Sequence, residues 1–160
     1  MGLHTVEAIV LANMTTATLK FVAGRARPYA SEDNARNFQL LRGLKSDDYR
    51  SFPSGHTTSA FAFAATVSAE TARSWPASRW FIGPFLYGMA TLTGASRIYN
   101  KAHWASDVMA GAAIGTFTGL KVVRYQHSHP GNLLDRRFLR AGISHVNGQG
   151  WVPMVSSVSF

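Results

Sequence analysis

Four apolar segments of helical length constrain the fold of this chain more than any other feature of its sequence. They are rich in alanine and larger apolar residues, and they cover residues 4–23, 54–71, 79–96 and 104–125. The first segment ends near Gly24, and Ser74 and Pro76 interrupt the chain after the second. The pattern predicts an all-α protein in which the four segments form a helical bundle.

A regular series of glycines marks the fourth segment, where Gly111, Gly115 and Gly119 recur at every fourth position. This spacing places them along one face of a helix, and their lack of side chains lets a second helix approach closely. Such a series serves tight packing in any all-α protein. It therefore predicts a close helix–helix contact and does not by itself indicate a membrane span.

The polar stretch at residues 29–52 differs from these segments, because it holds both acidic and basic residues: Glu32, Asp33, Asp47 and Asp48 among Arg36, Arg42, Lys45 and Arg50. Within it, residues 35–44 are predicted to form a short helix and the rest a loop. A loop of this length inside a compact domain usually has a function. We therefore expect one catalytic domain at residues 1–130. Residues 131–160 are predicted to form a basic, irregular or β-like tail, with Arg136, Arg137 and Arg140 as a basic patch.

Composition narrows the class of partner. The chain has 160 residues, no cysteine and a formal net charge of +8, which favours anionic partners such as phosphate groups or anionic lipids. Without cysteine, disulfides, thiolate metal sites and cysteine nucleophiles are excluded. The N-terminus lacks the basic start and cleavage site of a signal peptide. Because a helix begins almost at once, the chain can equally be a fragment of a longer protein.

Two of the apolar segments bear on whether the chain could span a membrane. Residues 81–95 are apolar but shorter than the roughly 20 residues that a bilayer requires, and Pro84 lies among them. Residues 104–123 are apolar enough, although Asp107 lies near their start. Both segments fit buried core helices slightly better than lipid-facing ones.

The first of three polar clusters places two cations near the end of the first segment. Lys20 and Arg27 are seven residues apart, about two helical turns, so they share a face if the helix continues. If the helix ends at Gly24, the loop can still return Arg27 to the side of Lys20. Two neighbouring cations are costly without an anion between them, although taken alone such a pair is usually a solvated C-terminal cap of a helix.

The second cluster, Pro-Ser-Gly-His at residues 53–56, precedes the second segment. Ser54 is a plausible N-cap, and Gly55 allows an oxyanion to approach the backbone. Free amides at a helix start form an anion site, beside which His56 can donate a proton. An ordinary capped helix start with an exposed histidine would have the same sequence.

The third cluster joins Arg97, His103 and Asp107. His103 and Asp107 are four residues apart, so they share a helix face. A carboxylate there can take the Nδ1 proton of His103 and leave Nε2 as a free lone pair, which makes imidazole a nucleophile. Arg97 offers a planar fork for phosphoryl oxygens. A His–Asp pair that merely stabilises the helix is the alternative.

Together the clusters resemble the signature of the type 2 phosphatidic acid phosphatase superfamily, which includes bacterial acid phosphatases and vanadium haloperoxidases. That signature is Lys, six residues, Arg-Pro; then Pro-Ser-Gly-His; then Ser-Arg, five residues, His, three residues, Asp. Every fixed position is present, in order, from Lys20 to Asp107. The resemblance implies an all-α bundle of that type. Family members generally have helices before the first motif, and only about twenty residues precede it here.

The resemblance also implies a role for each motif residue. His103 would attack phosphorus while Asp107 orients it, and His56 would protonate the leaving alkoxide and then help to activate water. The groups that would hold the phosphoryl oxygens are Lys20, Arg27, Ser54, Gly55 and Arg97. No metal and no cofactor is expected, because three cations and helix-start amides can neutralise the developing charge.

The resulting expectation is a metal-independent phosphatase that cleaves phosphate monoesters through a phosphohistidine intermediate. Its substrate would be a phosphorylated lipid, an isoprenyl diphosphate or a small soluble monoester, with the lipid classes favoured. The resemblance places the pocket at the extracytoplasmic face of a bacterial membrane or in the periplasm. A vanadium haloperoxidase, a non-enzymatic anion-binding module and a nucleic-acid-binding protein are the alternatives. No nucleic-acid module is visible, and the sequence does not indicate the oligomeric state.

Overall fold

Four α-helices make up most of the described part of the chain. The computed structural model describes residues 2–31 and 34–129. The helices are α1 (Gly2–Ala23), α2 (Gly55–Ser74), α3 (Ile82–Tyr99) and α4 (Ala105–Ser128). Single 3₁₀ turns lie at Pro28–Ala30, Arg42–Leu44, Asp47–Tyr49 and Pro76–Trp80. The predicted all-α class and its four helical segments are confirmed.

The chain divides into two compact units, Met1–Tyr125 and Gln126–Phe160. Helix α2 lies at the centre of the first unit, in contact with α1 and α3. Of the second unit only residues 126–129 are described. The predicted tail, with its basic patch at Arg136, Arg137 and Arg140, lies outside the described residues.

The glycine series of α4 confirms the predicted close approach. A Cβ atom on Gly115 would lie 2.3 Å from the carbonyl oxygen of Thr58, and one on Gly111 would lie 2.6 Å from that of Ser54. Neither position has room for a side chain, so α4 lies directly against α2. This contact fixes Asp107, one turn before Gly111, behind the start of α2, where its carbonyl oxygen accepts from the Ser54 amide at 3.0 Å.

The predicted short helix at residues 35–44 is wrong. The segment pairs with the chain that follows α1 instead of with itself. The Ala26 amide donates to the Asn37 carbonyl and the Gln39 amide to that of Gly24, both at 2.9 Å. Leu41 has a φ of 60°, a left-handed conformation that a helix does not contain.

Small and large side chains are distributed unusually in this bundle. The fully buried helical positions carry small residues, among them Ala8, Ala12, Ala62, Ala64, Ala65, Thr16, Thr57, Thr58 and Thr66. Large apolar side chains are instead exposed on the outer helix faces, including Val6, Val10, Met14, Phe85, Met89, Leu92, Met109 and Phe117. The segments that were expected to be core helices, now α3 and α4, therefore each bury only one face. An outer apolar surface of this extent marks contact with lipid or protein.

One helix in the described residues is both long and apolar enough to cross a membrane, judged by length and composition alone. It is α1, with 22 residues and a mean hydropathy of 1.3 in its most apolar stretch. The two later segments considered from the sequence do not pass the same criterion within the described residues. Helix α1 also packs against α2 and carries Lys20 at its end.

Candidate active site

The three polar clusters meet in one pocket of about 440 Å³, formed where α1 ends, α2 begins and α3 leads into α4. Its lining includes the cations Lys20, Arg27 and Arg97, the histidines His56 and His103, and Gly55. Asn13, Ser59 and Thr93 add polar groups to the wall. Of the predicted site residues, only Ser54 and Asp107 lie behind this lining, fully buried.

A helix end brings the first two cations together. Helix α1 ends at Ala23, and Gly24 follows with a φ of +54°. A Cβ atom at that position would lie 1.8 Å from the carbonyl oxygen of Gln39, so only glycine fits both the conformation and the contact. The turn returns Arg27 to the pocket beside Lys20. The alternative in which the helix continues through Gly24 is therefore not the one adopted.

Lys20 is fixed by a hydrogen bond and has a lowered pKa. Its Nζ donates to the carbonyl oxygen of Arg50 at 2.9 Å. Burial, with the nearby charges of Arg27 and Arg50, lowers the pKa of Lys20 from 10.5 to about 8, against the opposing effect of Asp107. The pocket therefore loses one of its positive charges as the pH rises through about 8, unless an anion is bound.

This pKa predicts a pH dependence that a single substitution removes. Between pH 7 and pH 9 Lys20 loses most of its positive charge, whereas the guanidinium of Lys20→Arg stays charged. Over this range the inhibition constant for inorganic phosphate should therefore rise about tenfold more in the wild type than in the variant. The inhibition constants of both proteins over this range provide the test, because the ionisation of phosphate itself cancels in their ratio. A ratio that does not change with pH would contradict the prediction.

The start of α2 provides backbone donors. Gly55 is the first residue of the helix, and the first amides of a helix have no partner within it. Ser54 occupies the N-cap position as predicted, but its side chain makes no capping bond. Instead Thr57 Oγ1 donates to Ser54 Oγ at 2.9 Å. The structure therefore leaves the Ser54 hydroxyl behind the pocket, and the backbone at Gly55 faces the space in front of it.

Helix packing does not require glycine at position 55, so we expect the missing side chain to matter for the pocket. A Cβ atom there would make only ordinary contacts, 3.7 Å to Lys20 Cε and 3.9 Å to Asn13 Oδ1. We expect Gly55→Ala to be as stable as the wild type or more so, since alanine is favoured in helices. Phosphate inhibition should nevertheless weaken about tenfold, equivalent to about 1.4 kcal/mol.

A matched control is Gly88→Ala on α3, where an added Cβ atom meets nothing within 4 Å. It should change neither the melting temperature by more than a few degrees nor the phosphate inhibition constant. Unchanged phosphate inhibition in Gly55→Ala would show that the anion does not occupy the space against the start of α2.

His56 follows Gly55 and is partly buried. Burial lowers the pKa of His56, and the positive charges of Arg97, Lys20 and Arg27 lower it further. This imidazole is therefore less easily protonated than an ordinary histidine. A bound anion would offset the surrounding cations and raise the pKa again, so that proton uptake by His56 would accompany anion binding.

The orientation of His103 differs from the sequence-based expectation. His103 lies before the start of α4, so the spacing of four to Asp107 does not bring their side chains together along a helix. Its Nδ1 lies 2.7 Å from the carbonyl oxygen of Ser51 and 3.7 Å from Asp107 Oδ2. Because a carbonyl can only accept, Nδ1 carries a proton, and in the neutral imidazole Nε2 therefore keeps its lone pair. The expected tautomer is thus obtained through a backbone carbonyl.

Asp107 instead ties together the segments around His103. Its Oδ2 accepts from Ser51 Oγ at 2.5 Å and from the Trp104 amide at 2.9 Å, and its Oδ1 pairs with Arg25. Burial alone would raise the pKa of Asp107, but the proximity of His103, the bonds from Ser51 and Trp104 and the Arg25 charge together lower it. The carboxylate is therefore ionised and fixes the Ser51 segment that in turn orients His103.

The donor set suits an oxyanion better than a divalent cation. Among the described residues that line the pocket, three are cations, two are histidines and none is a carboxylate. The neighbouring carboxylate of Asp107 is occupied by Arg25, Ser51 and Trp104. Hard divalent cations are usually bound by carboxylate oxygens, which none of these lining residues presents.

Comparison with known proteins decides the family. The family model described as the PAP2 superfamily matches residues 2–129, which include all three clusters and all four helices. The chain belongs to the PAP2 superfamily. No solved structure is significantly similar to it.

Three curated relatives of this PAP2 chain are named as phosphatases. A lipid A 1-phosphatase of Porphyromonas gingivalis is 46% identical over 69 residues, 43% of this chain and 15% of that protein. An undecaprenyl-diphosphatase of Sulfolobus acidocaldarius is 30% identical over 130 residues, 81% of this chain and 57% of that protein. A probable lipid phosphate phosphatase beta of Arabidopsis thaliana is 30% identical over 127 residues, 67% of this chain and 57% of that protein. The chain thus spans less than two thirds of each.

Two residues that support the PAP2 pocket were not predicted from the sequence. Arg25 is buried and donates to Ser106 Oγ at 2.7 Å and to the Ala35 carbonyl at 2.7 Å, in addition to its pair with Asp107. Ser51 provides both the carbonyl for His103 and the hydroxyl for Asp107. A third basic residue between Lys20 and Arg27 was the available signal for Arg25, whereas nothing in the sequence distinguished Ser51.

Proposed function

We propose that this chain is a phosphatase that hydrolyses a phosphomonoester through a phosphohistidine at His103. The observation that carries the proposal is the bond between His103 Nδ1 and the Ser51 carbonyl, which in the neutral imidazole places the lone pair on Nε2 at the wall of a cationic pocket. A neutral imidazole with a fixed tautomer is a competent nucleophile. The surrounding cations are placed to bind the phosphoryl oxygens that it would attack.

The proposed first step transfers the phosphoryl group to the protein. The Nε2 lone pair of His103 forms a bond to phosphorus while the bond from phosphorus to the leaving oxygen breaks. Lys20, Arg27 and Arg97 neutralise the charge on the remaining phosphoryl oxygens. His56, protonated once the anionic substrate is bound, gives its proton to the leaving oxygen.

The second step returns the imidazole. His56, now neutral, takes a proton from water while the water oxygen bonds to phosphorus and the bond from phosphorus to Nε2 breaks. Phosphorylated His103 carries a positive ring that retains its Nδ1 proton, which the Ser51 carbonyl accepts. The Asp107 carboxylate, 3.7 Å from Nδ1, stabilises that positive charge.

A lipid phosphate or isoprenyl diphosphate is the substrate that we favour. The names of the relatives support this class, since they denote phosphatases of lipid A, undecaprenyl diphosphate and lipid phosphates. The exposed apolar side chains on the outer helix faces also support it, because they suit contact with lipid. We propose that the protein is membrane-associated, with its pocket at the extracytoplasmic face of a bacterial membrane, as the family resemblance implies.

Phosphate release from three substrates in the presence of EDTA tests this function. We expect EDTA-resistant release from phosphatidic acid in micelles and from an isoprenyl diphosphate, at higher kcat/KM than from p-nitrophenyl phosphate. A folded protein that releases phosphate from none of these would contradict the proposal. Bromide oxidation by that protein with added vanadate and peroxide would then indicate a haloperoxidase instead.

A further inference from the structure

A loop beside the pocket presents leucines to solvent. We call residues 38–46 the leucine loop. Leu40, Leu41 and Leu44 within it are 76%, 51% and 58% exposed. They line an open groove of about 720 Å³ together with Arg42 and Lys45. Single exposed leucines are common, but three within five residues form a contiguous apolar patch.

The conformation of the leucine loop is fixed by close contacts with α1. The Gly43 Cα packs on α1 so closely that a Cβ atom would lie 2.4 Å from the Lys20 carbonyl oxygen. The Leu41 amide donates to the Val22 carbonyl at 3.1 Å, although Leu41 itself has an unfavourable φ of 60°. A non-glycine residue in this region is strained and persists only where its surroundings enforce it. These backbone contacts thus hold the leucines in exposed positions despite the unfavourable conformation of Leu41.

Charge around the patch indicates the nature of its partner. Arg42 and Lys45 flank the leucines and are themselves exposed. Arg42 is fixed against the Tyr49 ring, with its guanidinium 4.4 Å from the ring centroid. Apolar tips between cations match the boundary of an anionic bilayer, where leucines enter the acyl region while lysine and arginine meet lipid phosphates.

The opposite side of the leucine loop supports the pocket. Arg50 Nε donates to the Gly43 carbonyl at 2.6 Å, and the Arg50 carbonyl accepts from Lys20 Nζ at 2.9 Å. One set of contacts therefore links the leucine loop to a phosphate-binding cation. A surface that holds the leucines would lie next to the pocket in which, on the proposed function, a lipid phosphate reacts.

We propose that the leucine loop is a membrane-docking element that inserts Leu40, Leu41 and Leu44 into an anionic lipid surface beside the pocket. The docking itself requires no turnover. Only its benefit for lipid hydrolysis rests on the proposed function. The loop would present the pocket to headgroups at the depth where phosphates lie.

A fluorescent label reports the docking directly. The chain has no cysteine, so Leu40→Cys introduces one attachment site for an environment-sensitive nitrobenzoxadiazole dye. Asp48→Cys is the matched control, because Asp48 is exposed in the next turn but acidic. Both full-length proteins are measured alone and with vesicles of phosphatidylglycerol and phosphatidylcholine. Vesicles of phosphatidylcholine alone and lipids with spin-labelled acyl chains complete the series.

We expect the dye at position 40 to shift to the blue with phosphatidylglycerol vesicles and to be quenched by the spin-labelled lipids. The shift should be smaller with phosphatidylcholine alone and after Lys45→Gln, and absent at position 48. No shift at position 40 in membrane-bound protein, or an equal shift at both positions, would overturn the proposal. A shift without lipid that grows with protein concentration would also overturn it and identify a second copy as the occupant.

A kinetic readout separates this inference from the proposed function. In Leu40→Ser/Leu44→Ser we expect the KM for a lipid phosphate in anionic vesicles to rise about tenfold. Hydrolysis of p-nitrophenyl phosphate should be unchanged, because neither leucine lines the pocket. Unchanged KM for the vesicle substrate would contradict the benefit for hydrolysis. A protein inactive on every substrate that still inserts position 40 would refute the phosphatase and leave the docking intact.

Discussion

Replacement of His103 by alanine should reduce kcat for phosphate release by at least about 10³-fold, on lipid and soluble substrates alike. The loss follows from the proposed nucleophile, because His103 is the imidazole whose Nδ1 is held against the Ser51 carbonyl. The pocket cations stay in place, so binding of inorganic phosphate should weaken far less than turnover. Steady-state kinetics and phosphate inhibition of the same protein preparation measure both effects.

The control for this substitution is His4→Gln, which alters a histidine of α1 that pairs with Glu70 and does not line the pocket. It should retain wild-type kcat. Added imidazole should partly restore turnover to His103→Ala, since it can enter the space that the side chain vacates. A folded His103→Ala protein with more than a tenth of wild-type activity would contradict the assigned nucleophile.

Replacement of Arg25 by methionine should lower the free energy of unfolding by about 3–5 kcal/mol, the effect typical of leaving a buried charge without its partner. Asp107 is fully buried, and Arg25 is the cation that pairs with it. Methionine keeps much of the apolar stem of arginine but removes the guanidinium, whose carbon lies 5.0 Å from the Phe38 ring centroid and 5.6 Å from that of Trp104. Chemical denaturation followed by tryptophan fluorescence measures the change.

A double substitution separates the charge from the packing. Asp107→Asn removes the buried negative charge, so Arg25→Met/Asp107→Asn should be clearly more stable than Arg25→Met alone. Its activity should stay low, because the asparagine leaves phosphorylated His103 without a neighbouring carboxylate. If Arg25→Met loses less than about 1 kcal/mol, the ion pair does not have the structural role assigned to it.

The parts of the fold that depend on local pattern could be predicted from the sequence. The four helices follow from their apolar composition, and the close approach of another helix to α4 follows from glycines at every fourth residue, although the structure was needed to identify that helix as α2. The three motif clusters meet because each lies at a helix end, and those ends converge. That convergence was inferred from resemblance to a family, since no local pattern indicates which helix ends are neighbours.

The segment after α1 could not be predicted, because its conformation depends on distant partners. Residues 35–44 have a composition compatible with a helix. Instead, the Ala26 amide donates to the Asn37 carbonyl and the Gln39 amide to that of Gly24, so this segment pairs with the one that follows α1. The burial of Arg25 has the same origin. A basic residue near a helix end normally faces solvent, but Arg25 is buried against distant partners, among them the carboxylate of Asp107, 82 positions later.

The partner of His103 shows a further limit of spacing arguments. A separation of four residues predicts a direct contact with Asp107 only inside a helix, and α4 begins two residues after His103. Ser51, which holds Nδ1, is 52 positions away in a polar segment without distinguishing features. The tautomer followed from chemistry alone, whereas the atom that enforces it required the structure.

Capture of the covalent intermediate tests the central claim most directly. Wild type, His56→Ala and His103→Ala would be mixed with a ³²P-labelled lipid phosphate, quenched in alkaline detergent and separated by electrophoresis. A phosphohistidine survives alkali and is lost in acid, so we predict alkali-stable, acid-labile label in the wild type. In His56→Ala the label should form and decay more slowly, because both steps lose their proton donor or acceptor, and in His103→Ala it should be absent. Steady turnover with no labelled protein in the wild type and His56→Ala, or equal labelling of His103→Ala, would contradict the account.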